Sequence, residues 1–226
     1  MFDLVEAYWA RVFGVGAEPG IHVVESSDEW NGMLVLGTPG CVRICVQDTM
    51  LSETHSIVDT QTPETLLTRA FWEVRLPDAE VLGPNVHNYL TETARLTKHP
   101  DVRHLGPEDA GAITELRAQC SAEDWAESGF DREPRELFGA FARDRILGAA
   151  NLTIWDGRAA DVGVLTYDGS RGHGWGTRLA AAASAFAVGR HGIARYRAQQ
   201  TNLRSLAIAR RLGYVEYGQH IALRLG

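Results

Sequence analysis

The chain is poor in cysteine and has no long uncharged run, and both shortages exclude classes of protein. Only three of its 226 residues are cysteine, which excludes a small domain stapled by several disulfides. The longest stretch without Asp, Glu, Lys or Arg runs from Trp30 to Val42 and contains three glycines and a proline. A membrane-spanning helix needs roughly 18 or more apolar residues. We therefore expect no transmembrane segment.

The first residues also lack the features of a signal peptide. Met1 to Glu6 include two acids where a signal peptide carries basic residues, and no long apolar stretch follows. We expect a cytoplasmic protein with reduced thiols. Cys41 and Cys45, on one predicted strand, would lie about 13 Å apart, too far for a disulfide. No Cys-x-x-Cys pair occurs and no histidine follows at zinc-ligand distance, so we predict no metal.

Composition and charge are those of an ordinary folded protein. Apolar residues make up 45% of the chain and charged residues 23%, which is typical of a globular domain. Lys and Arg number 22 against 29 Asp and Glu, giving a net charge of −7 without a long block of one sign. This balance argues against nucleic-acid binding and mildly favours neutral or cationic substrates.

The pattern of the chain changes near residue 98, where we place a boundary between two α/β regions. The first, residues 1–98, is the smaller lobe, and the second, residues 99–226, is the main domain. In the first lobe, apolar spacing and β-branched runs predict helices over 2–13 and 63–72, strands over 21–24, 33–36 and 41–46, and a break in regular structure over 81–85.

The second region alternates strands and helices in a way that predicts a mixed sheet. Strands are expected over 102–105, 137–143, 146–155, 160–166 and 193–199, helices over 107–120, 123–128, 174–189 and 202–212, and one or two final strands over 214–225. The resulting order, β-α-α-β-β-β-α-β-α-β, indicates an α/β fold.

The most informative segment runs from Val164 to Thr177, where a strand enters a helix through closely spaced glycines. Such a junction presents unpaired backbone N–H groups at the positive end of a helix dipole, and glycines let a phosphate approach. The Gly-Lys-Ser/Thr ending of a P-loop is missing. The Gly-x-Gly-x-x-Gly spacing of a dinucleotide site, with its acid about 20 residues on, is missing too.

The pattern Arg-x-x-Gly-x-Gly, from Arg171 to Gly176, resembles the pyrophosphate-binding signature of the Gcn5-related N-acetyltransferase (GNAT) superfamily, which uses acetyl-CoA. The superfamily's next features follow in order: a strand, a helix opened by Asn202 and Ser205, and Leu212-Gly213-Tyr214 at its end. The resemblance covers somewhat more than half of the chain and implies a GNAT fold there. The whole chain is also similar to two-lobed bacterial members. Its first lobe lacks the glycine pattern, so we do not expect that lobe to bind CoA.

The resemblance implies a set of cofactor-binding residues. The backbone of Val164, Leu165 and Thr166 would pair with the pantetheine arm, and an N–H at Val164 or Leu165 would polarise the thioester carbonyl. Asn202 and Ser205 would contact the cofactor arm, with helix capping as the alternative role. The pyrophosphate would be held by Arg171, Gly172, His173, Gly174, Trp175, Gly176 and Thr177.

The catalytic groups depart from the superfamily pattern at one position. The superfamily's leaving-group acid is a helix tyrosine, and that position is Ala209 here. Either Tyr167, Tyr196 or water protonates the leaving thiolate, or the chain binds acyl-CoA without turnover. Asp161 and Glu127 are the candidate bases, with a strand-edge charge and a solvated helix acid as their respective alternatives.

Two functions follow from this sequence. The first is an N-acetyltransferase that moves an acetyl group from acetyl-CoA to a primary amine of a small molecule or peptide by direct attack. The second is a non-catalytic acyl-CoA-binding sensor or regulator. We expect no nucleic-acid or membrane partner, and the sequence leaves monomer and homodimer open.

Overall fold

A computed structural model describes residues 2–26, 32–133 and 136–225. They form two compact units. The first contains the described residues of 1–87, 198–202 and 216–226, and the second contains those of 88–197 and 203–215. The boundary between domains at residue 98 stays a prediction.

The first part of the chain contains four helices and four strands within its described residues. In chain order they are α1 (Asp3–Phe13), β1 (Gly20–Glu25), β2 (Gly32–Thr38), β3 (Cys41–Val46), α2 (Leu51–Val58), α3 (Pro63–Leu66), α4 (Arg69–Arg75) and β4 (Glu80–Leu90).

The remainder alternates strands and helices as the sequence predicts, and the final segment is one strand. The elements are β5 (Val102–His104), α5 (Ala110–Ala118), α6 (Ala122–Glu127), β6 (Glu136–Ala142), β7 (Arg145–Trp155), β8 (Arg158–Thr166), α7 (Trp175–His191), β9 (Ala194–Gln199), α8 (Leu203–Leu212) and β10 (Val215–Arg224). The expected mixed α/β class is confirmed.

In the first unit, β3 pairs parallel with β1 and antiparallel with β2, and β2 pairs antiparallel with β10. The alternating apolar residues of these strands build a core with α2, α3 and α4, in which Met33, Ile44 and Trp72 are fully buried. The Trp72 Nε1–H donates to the Leu66 carbonyl at 2.7 Å. This hydrogen bond joins α4 to the end of α3.

Three sequence predictions in the first unit need correction. Residues 81–85 lie in β4 rather than in a break. A Cβ on Gly83 would lie 2.8 Å from the carbonyl oxygen of His220 in β10. Gly83 therefore marks a close approach of two strands. The helix expected over 63–72 is divided into α3 and α4. Helix α2 is absent from the sequence prediction, because its sequence is mostly polar and its buried residues are only Thr54 and Val58.

In the second unit, β5, β6, β7 and β8 pair antiparallel in that order, and β8 is parallel to β9. Helix α5 packs on β7, and α7 packs on β7 and β8. The buried face of α7 is rich in alanine, as in Ala180, Ala183 and Ala187. These small side chains let the helix lie close to the sheet.

None of the described helices has the length and apolar character needed to cross a membrane. Over the same residues, no cluster of three or more His, Cys, Asp or Glu side chains could hold a metal ion. The cytoplasmic location expected from the sequence stays a prediction.

Gly163 determines how closely the end of α6 approaches β8. A Cβ at Gly163 would lie 2.0 Å from the Ser128 carbonyl oxygen and 2.2 Å from Asn151 Oδ1. The Asn151 Nδ2 also donates to the Ser128 carbonyl at 3.3 Å. The missing side chain at position 163 therefore lets α6 end against the sheet.

We predict that Gly163→Ala lowers the free energy of unfolding by about 1–3 kcal/mol, because the added methyl group overpacks this contact. Gly189→Ala is the matched control, because a Cβ at that position of α7 would meet nothing within 4 Å. The control should raise stability by about 0.5–1 kcal/mol. Urea unfolding measures both, and equal stability of the two variants would contradict the close contact at Gly163.

Candidate functional site

The glycine turn joins the end of β8 at Thr166 to the start of α7 at Trp175. Gly172 and Gly174 have φ of +83° and +79°, and a Cβ on either would meet nothing within 4 Å. Gly174 caps α7 without a side-chain hydrogen bond, and Arg178 N donates to the Gly174 carbonyl at 3.2 Å. The N–H groups before Arg178 have no intrahelical partner, so the turn can bind an anion.

The start of α7 lies against both β8 and α8. A Cβ at Gly176 would lie 3.2 Å from Ile208 Cδ1 and 3.8 Å from Val164 Cγ1. A side chain there would press on Ile208 of α8, whereas its distance to Val164 of β8 is that of an ordinary van der Waals contact. The first turn of α7 therefore lies next to β8 and packs most tightly on α8.

Arg171 connects this turn to α6. Its guanidinium donates to Asp124 at 2.9 Å and to the Thr166 carbonyl at 3.3 Å, and it pairs with Asp168 at 2.9 Å. The side chain of Arg171 is 36% exposed and that of Asp124 is 38% exposed. Exposed pairs of this kind contribute at most about 1 kcal/mol, so a phosphate can compete for the guanidinium.

The side chains of His173 and Trp175 make contacts of their own. His173 Nδ1 lies 3.0 Å from the Arg171 carbonyl oxygen. The Trp175 ring contacts His99, and the Arg178 guanidinium lies 4.5 Å from its centroid. We therefore consider only the backbone N–H groups of His173 and Trp175 as donors to an anion.

Strand β8 has one paired edge and one open edge. It pairs with β7 as far as Thr166, whereas its pairing with β9 in the described structure consists of Asp161 opposite Arg195 alone. Beyond that pair, Val164 to Thr166 have no ladder partner on β9. An extended ligand chain can hydrogen-bond such an edge as an added strand would.

Asp161 is buried, and both its carboxylate oxygens accept from Arg195, at 2.9 Å and 2.6 Å. Burial alone would raise its pKa, but the charge and hydrogen bonds of Arg195 outweigh burial and lower the pKa. The Arg195 guanidinium also lies over the Trp155 ring, 5.7 Å from its centroid. This pairing favours a structural role for Asp161 over that of a base.

Glu127 is the exposed last residue of α6, next to the contact between Ser128 and the sheet. Sequence reasoning missed Asn151, which donates to the carbonyl of Ser128 and whose side chain is fully buried. Asn151 Oδ1 accepts no hydrogen bond from the described residues, so an acceptor oxygen is left near Gly163. The available signal was an asparagine between Ala150 and Leu152, in the middle of a largely apolar strand.

Two buried tyrosines lie near α7 and α8. Tyr196 on β9 hydrogen-bonds Ser205 of α8 through its side chain, so Ser205 faces β9 rather than only capping its helix. The Tyr214 hydroxyl lies 2.6 Å from Ser184 Oγ. Tyr167 packs its ring under the Arg145 guanidinium, at 4.9 Å.

Asn202 directly precedes α8 and belongs to the first compact unit. Its N–H donates to the Gln199 carbonyl at 2.9 Å. The structure thus brings Val164 to Thr166, the glycine turn and Arg171 to one end of β8 in the second unit. Ala209, the position of the superfamily tyrosine, is fully buried.

Residues 99–214, just over half of the chain, match the family model described as the acetyltransferase (GNAT) family. The chain belongs to the GNAT family. Members of this family use acyl-CoA and acetylate amine acceptors. No curated protein matches the sequence.

Solved GNAT structures share the fold of the chain. A GNAT-family protein of Novosphingobium aromaticivorans is 19% identical with a TM-score of 0.50, over 65% of this chain and 66% of that one. A GNAT acetyltransferase of Colwellia psychrerythraea is 15% identical with a TM-score of 0.50, over 70% and 62%. The matches thus span less than two thirds of those proteins. An aminoglycoside N-acetyltransferase solved with CoA is 19% identical, with a TM-score of 0.38, over 52% and 92%.

The residues at the end of β8 fit an acyl-CoA. An open strand edge suits the amide-containing pantetheine arm, and the free N–H groups and left-handed glycines suit the pyrophosphate. Both features come from the described backbone and need no side chain to rearrange.

We predict that Asp161→Asn lowers the free energy of unfolding by about 3–5 kcal/mol at neutral pH, because it removes the buried carboxylate charge that faces the Arg195 guanidinium. The lowered pKa of Asp161 means that its stabilisation is present at neutral pH and is lost as the pH falls through that pKa. The difference between the variant and the wild type should therefore shrink in acid.

The control is Asp168→Asn, which removes an 85% exposed partner of Arg171 and should cost less than about 1 kcal/mol. Chemical unfolding over a range of pH measures both variants. An effect of Asp161→Asn as small as that of the control would contradict the structural role of the Asp161–Arg195 pair.

Proposed function

We propose that the chain is an acetyl-CoA-dependent N-acetyltransferase acting on a primary amine of a small molecule or peptide. The observation that carries this is the open edge of β8 running directly into the unpaired N–H groups of the glycine turn. One feature binds an extended amide-containing arm and the other an anion. Together they suit the two halves of acetyl-CoA.

The proposed binding residues act mainly through their backbone. Val164 to Thr166 pair with the pantetheine arm, and the N–H of Val164 or Leu165 donates to the carbonyl that becomes negatively charged during attack. Gly172 to Thr177 hold the pyrophosphate with help from Arg171. Acetyl-CoA supplies an activated acetyl group, and the chain supplies orientation and proximity.

Glu127 is the proposed base, and it accepts the proton of the amine directly or through a water. Glu127 is exposed at the end of α6, whereas Asp161 is buried and both its carboxylate oxygens accept from Arg195. The net charge of −7 favours an acceptor that is neutral or cationic.

A second function, acyl-CoA binding without turnover, is favoured by one observation. Ala209 stands where the superfamily has its acidic tyrosine. The two functions are separated by incubating the protein and acetyl-CoA with a polyamine, an aminoglycoside and a lysine-containing peptide and measuring free thiol. Steady amine-dependent thiol release supports the transferase. Binding of acetyl-CoA without release from any of these or a wider amine panel supports the second function.

We predict that Gly174→Asp weakens acetyl-CoA binding at least about 10²-fold, because it places a carboxylate where the pyrophosphate binds. The matched control is Gly174→Asn, which has nearly the same shape and tolerates positive φ but carries no charge. The asparagine variant should lose far less affinity. Isothermal titration calorimetry measures both, and unchanged affinity in Gly174→Asp would remove the cofactor from this turn.

We also predict that Glu127→Gln lowers turnover about 10²-fold, since general-base catalysis supplies effects of this size. Affinity for acetyl-CoA should stay the same. Glu123→Gln, an exposed acid on the same helix, is the control and should keep the wild-type rate. Steady-state kinetics decide, and wild-type turnover in Glu127→Gln would exclude Glu127 as the base.

A further inference from the structure

The proposed transferase lacks the usual helix tyrosine, yet it has a hydroxyl on the same helix face. Ala209 is fully buried in α8, and Ser205 lies four residues before it, on the same face of the helix. Helical side chains lean toward the helix N-terminus. A tyrosine at position 209 would therefore extend over the turn that carries Ser205.

Tyr196 brings a phenol to this turn from the neighbouring strand. Its side chain hydrogen-bonds that of Ser205, and the residue is only 3% exposed. On β9 it directly follows Arg195, which is the partner of Asp161 in the ladder with β8. The backbone of Tyr196 therefore lies where β8 and β9 separate. Its hydroxyl lies at the turn of α8 that a tyrosine at position 209 would cover.

The other buried tyrosine is bonded elsewhere. Tyr214 lies against Tyr196 with ring centroids 5.6 Å apart, but its hydroxyl is 2.6 Å from Ser184 Oγ. Ser184 in turn donates to the Ala180 carbonyl of α7. The Tyr214 hydroxyl therefore faces α7, and the Tyr196 hydroxyl is the one that faces Ser205 on α8.

We propose that Tyr196, supported by Ser205, is the acid that protonates the departing sulfur, taking over the role of the residue missing at position 209. The inference rests on the proposed transferase function. The amine nitrogen bonds to the acetyl carbon, the carbon–sulfur bond breaks, and its electron pair stays on sulfur. Tyr196 gives its proton to that sulfur while Ser205 donates to the phenolate. The proton released by the amine nitrogen returns to Tyr196 through Glu127 and solvent.

The environment of Tyr196 keeps the phenol protonated at neutral pH. Burial raises its pKa to about 12, and the hydrogen bond from Ser205 acts in the opposite direction. The phenol is therefore protonated before each turnover. The bond from Ser205 stabilises the phenolate that forms when the proton leaves.

The first test compares turnover in three variants. Tyr196→Phe should lower kcat about 10²-fold with unchanged affinity for acetyl-CoA, and Ser205→Ala should cause a smaller loss. Tyr214→Phe is the matched control, because it deletes a neighbouring buried hydroxyl that faces α7, and it should keep the wild-type kcat. Circular dichroism of each variant checks that it folds. A wild-type kcat in Tyr196→Phe overturns the inference.

The second test needs no acetyl acceptor. With CoA bound, a hydroxyl donor beside the sulfur stabilises the thiolate, so the thiol pKa should be lower in the wild type than in Tyr196→Phe by about one unit or more. Ultraviolet absorbance of the thiolate over a pH titration measures it, and desulfo-CoA complexes supply the protein background. Equal thiol pKa values in both proteins overturn the inference, even where turnover has fallen.

The two tests separate this inference from the proposed function. A wild type that binds acetyl-CoA but acetylates no amine contradicts the transferase, and the thiol titration still decides whether Tyr196 faces the sulfur. If the wild type acetylates amines and Tyr196→Phe has the same rate and the same thiol pKa, the transferase function stands. Only the role of Tyr196 as the acid is then contradicted.

Discussion

The site depends on the ion pair of Asp161 and Arg195, which lies at the point where, within the described residues, β8 and β9 form their ladder. Both groups are buried, and taking two charges out of water is costly unless their geometry and hydrogen bonds are good. Here the contact is bidentate and Arg195 also covers Trp155. Beyond this point the strands separate, and the edge of β8 stays open next to the glycine turn.

Small residues then bring the helices to that open edge. Gly176 lets the start of α7, next to β8, pack closely on Ile208 of α8. Gly163 lets α6 end against the sheet, which places the Ser128 carbonyl beside Asn151. Alanine at position 163 would force the end of α6 away from the strand, and alanine at position 176 would press on Ile208. The proposed chemistry thus needs glycine both for conformation and for close approach.

Much of this could be predicted from the sequence, since the strand, glycine turn and helix around residues 164–177 are contiguous. Apolar spacing also predicts the order of elements in residues 99–226, and the mixed α/β class is confirmed. The rest depends on contacts between distant residues. From the sequence, Gly83 and Pro84 predict a break, whereas the structure shows a strand next to His220. Asp161 is a candidate base in the sequence, and the structure shows that Arg195 binds its carboxylate. The bond of Tyr196 to Ser205 likewise joins a strand to the next helix, and no local pattern reveals it.

The central claim is that the open edge of β8 and the glycine turn together hold acetyl-CoA. The most direct measurement is hydrogen–deuterium exchange at residues 162–177 with and without acetyl-CoA, because it reports the backbone N–H groups themselves. We expect acetyl-CoA to slow exchange over 162–166 and at the start of α7, and to leave β1 to β3 unchanged. Binding without slower exchange in these two segments would contradict the account.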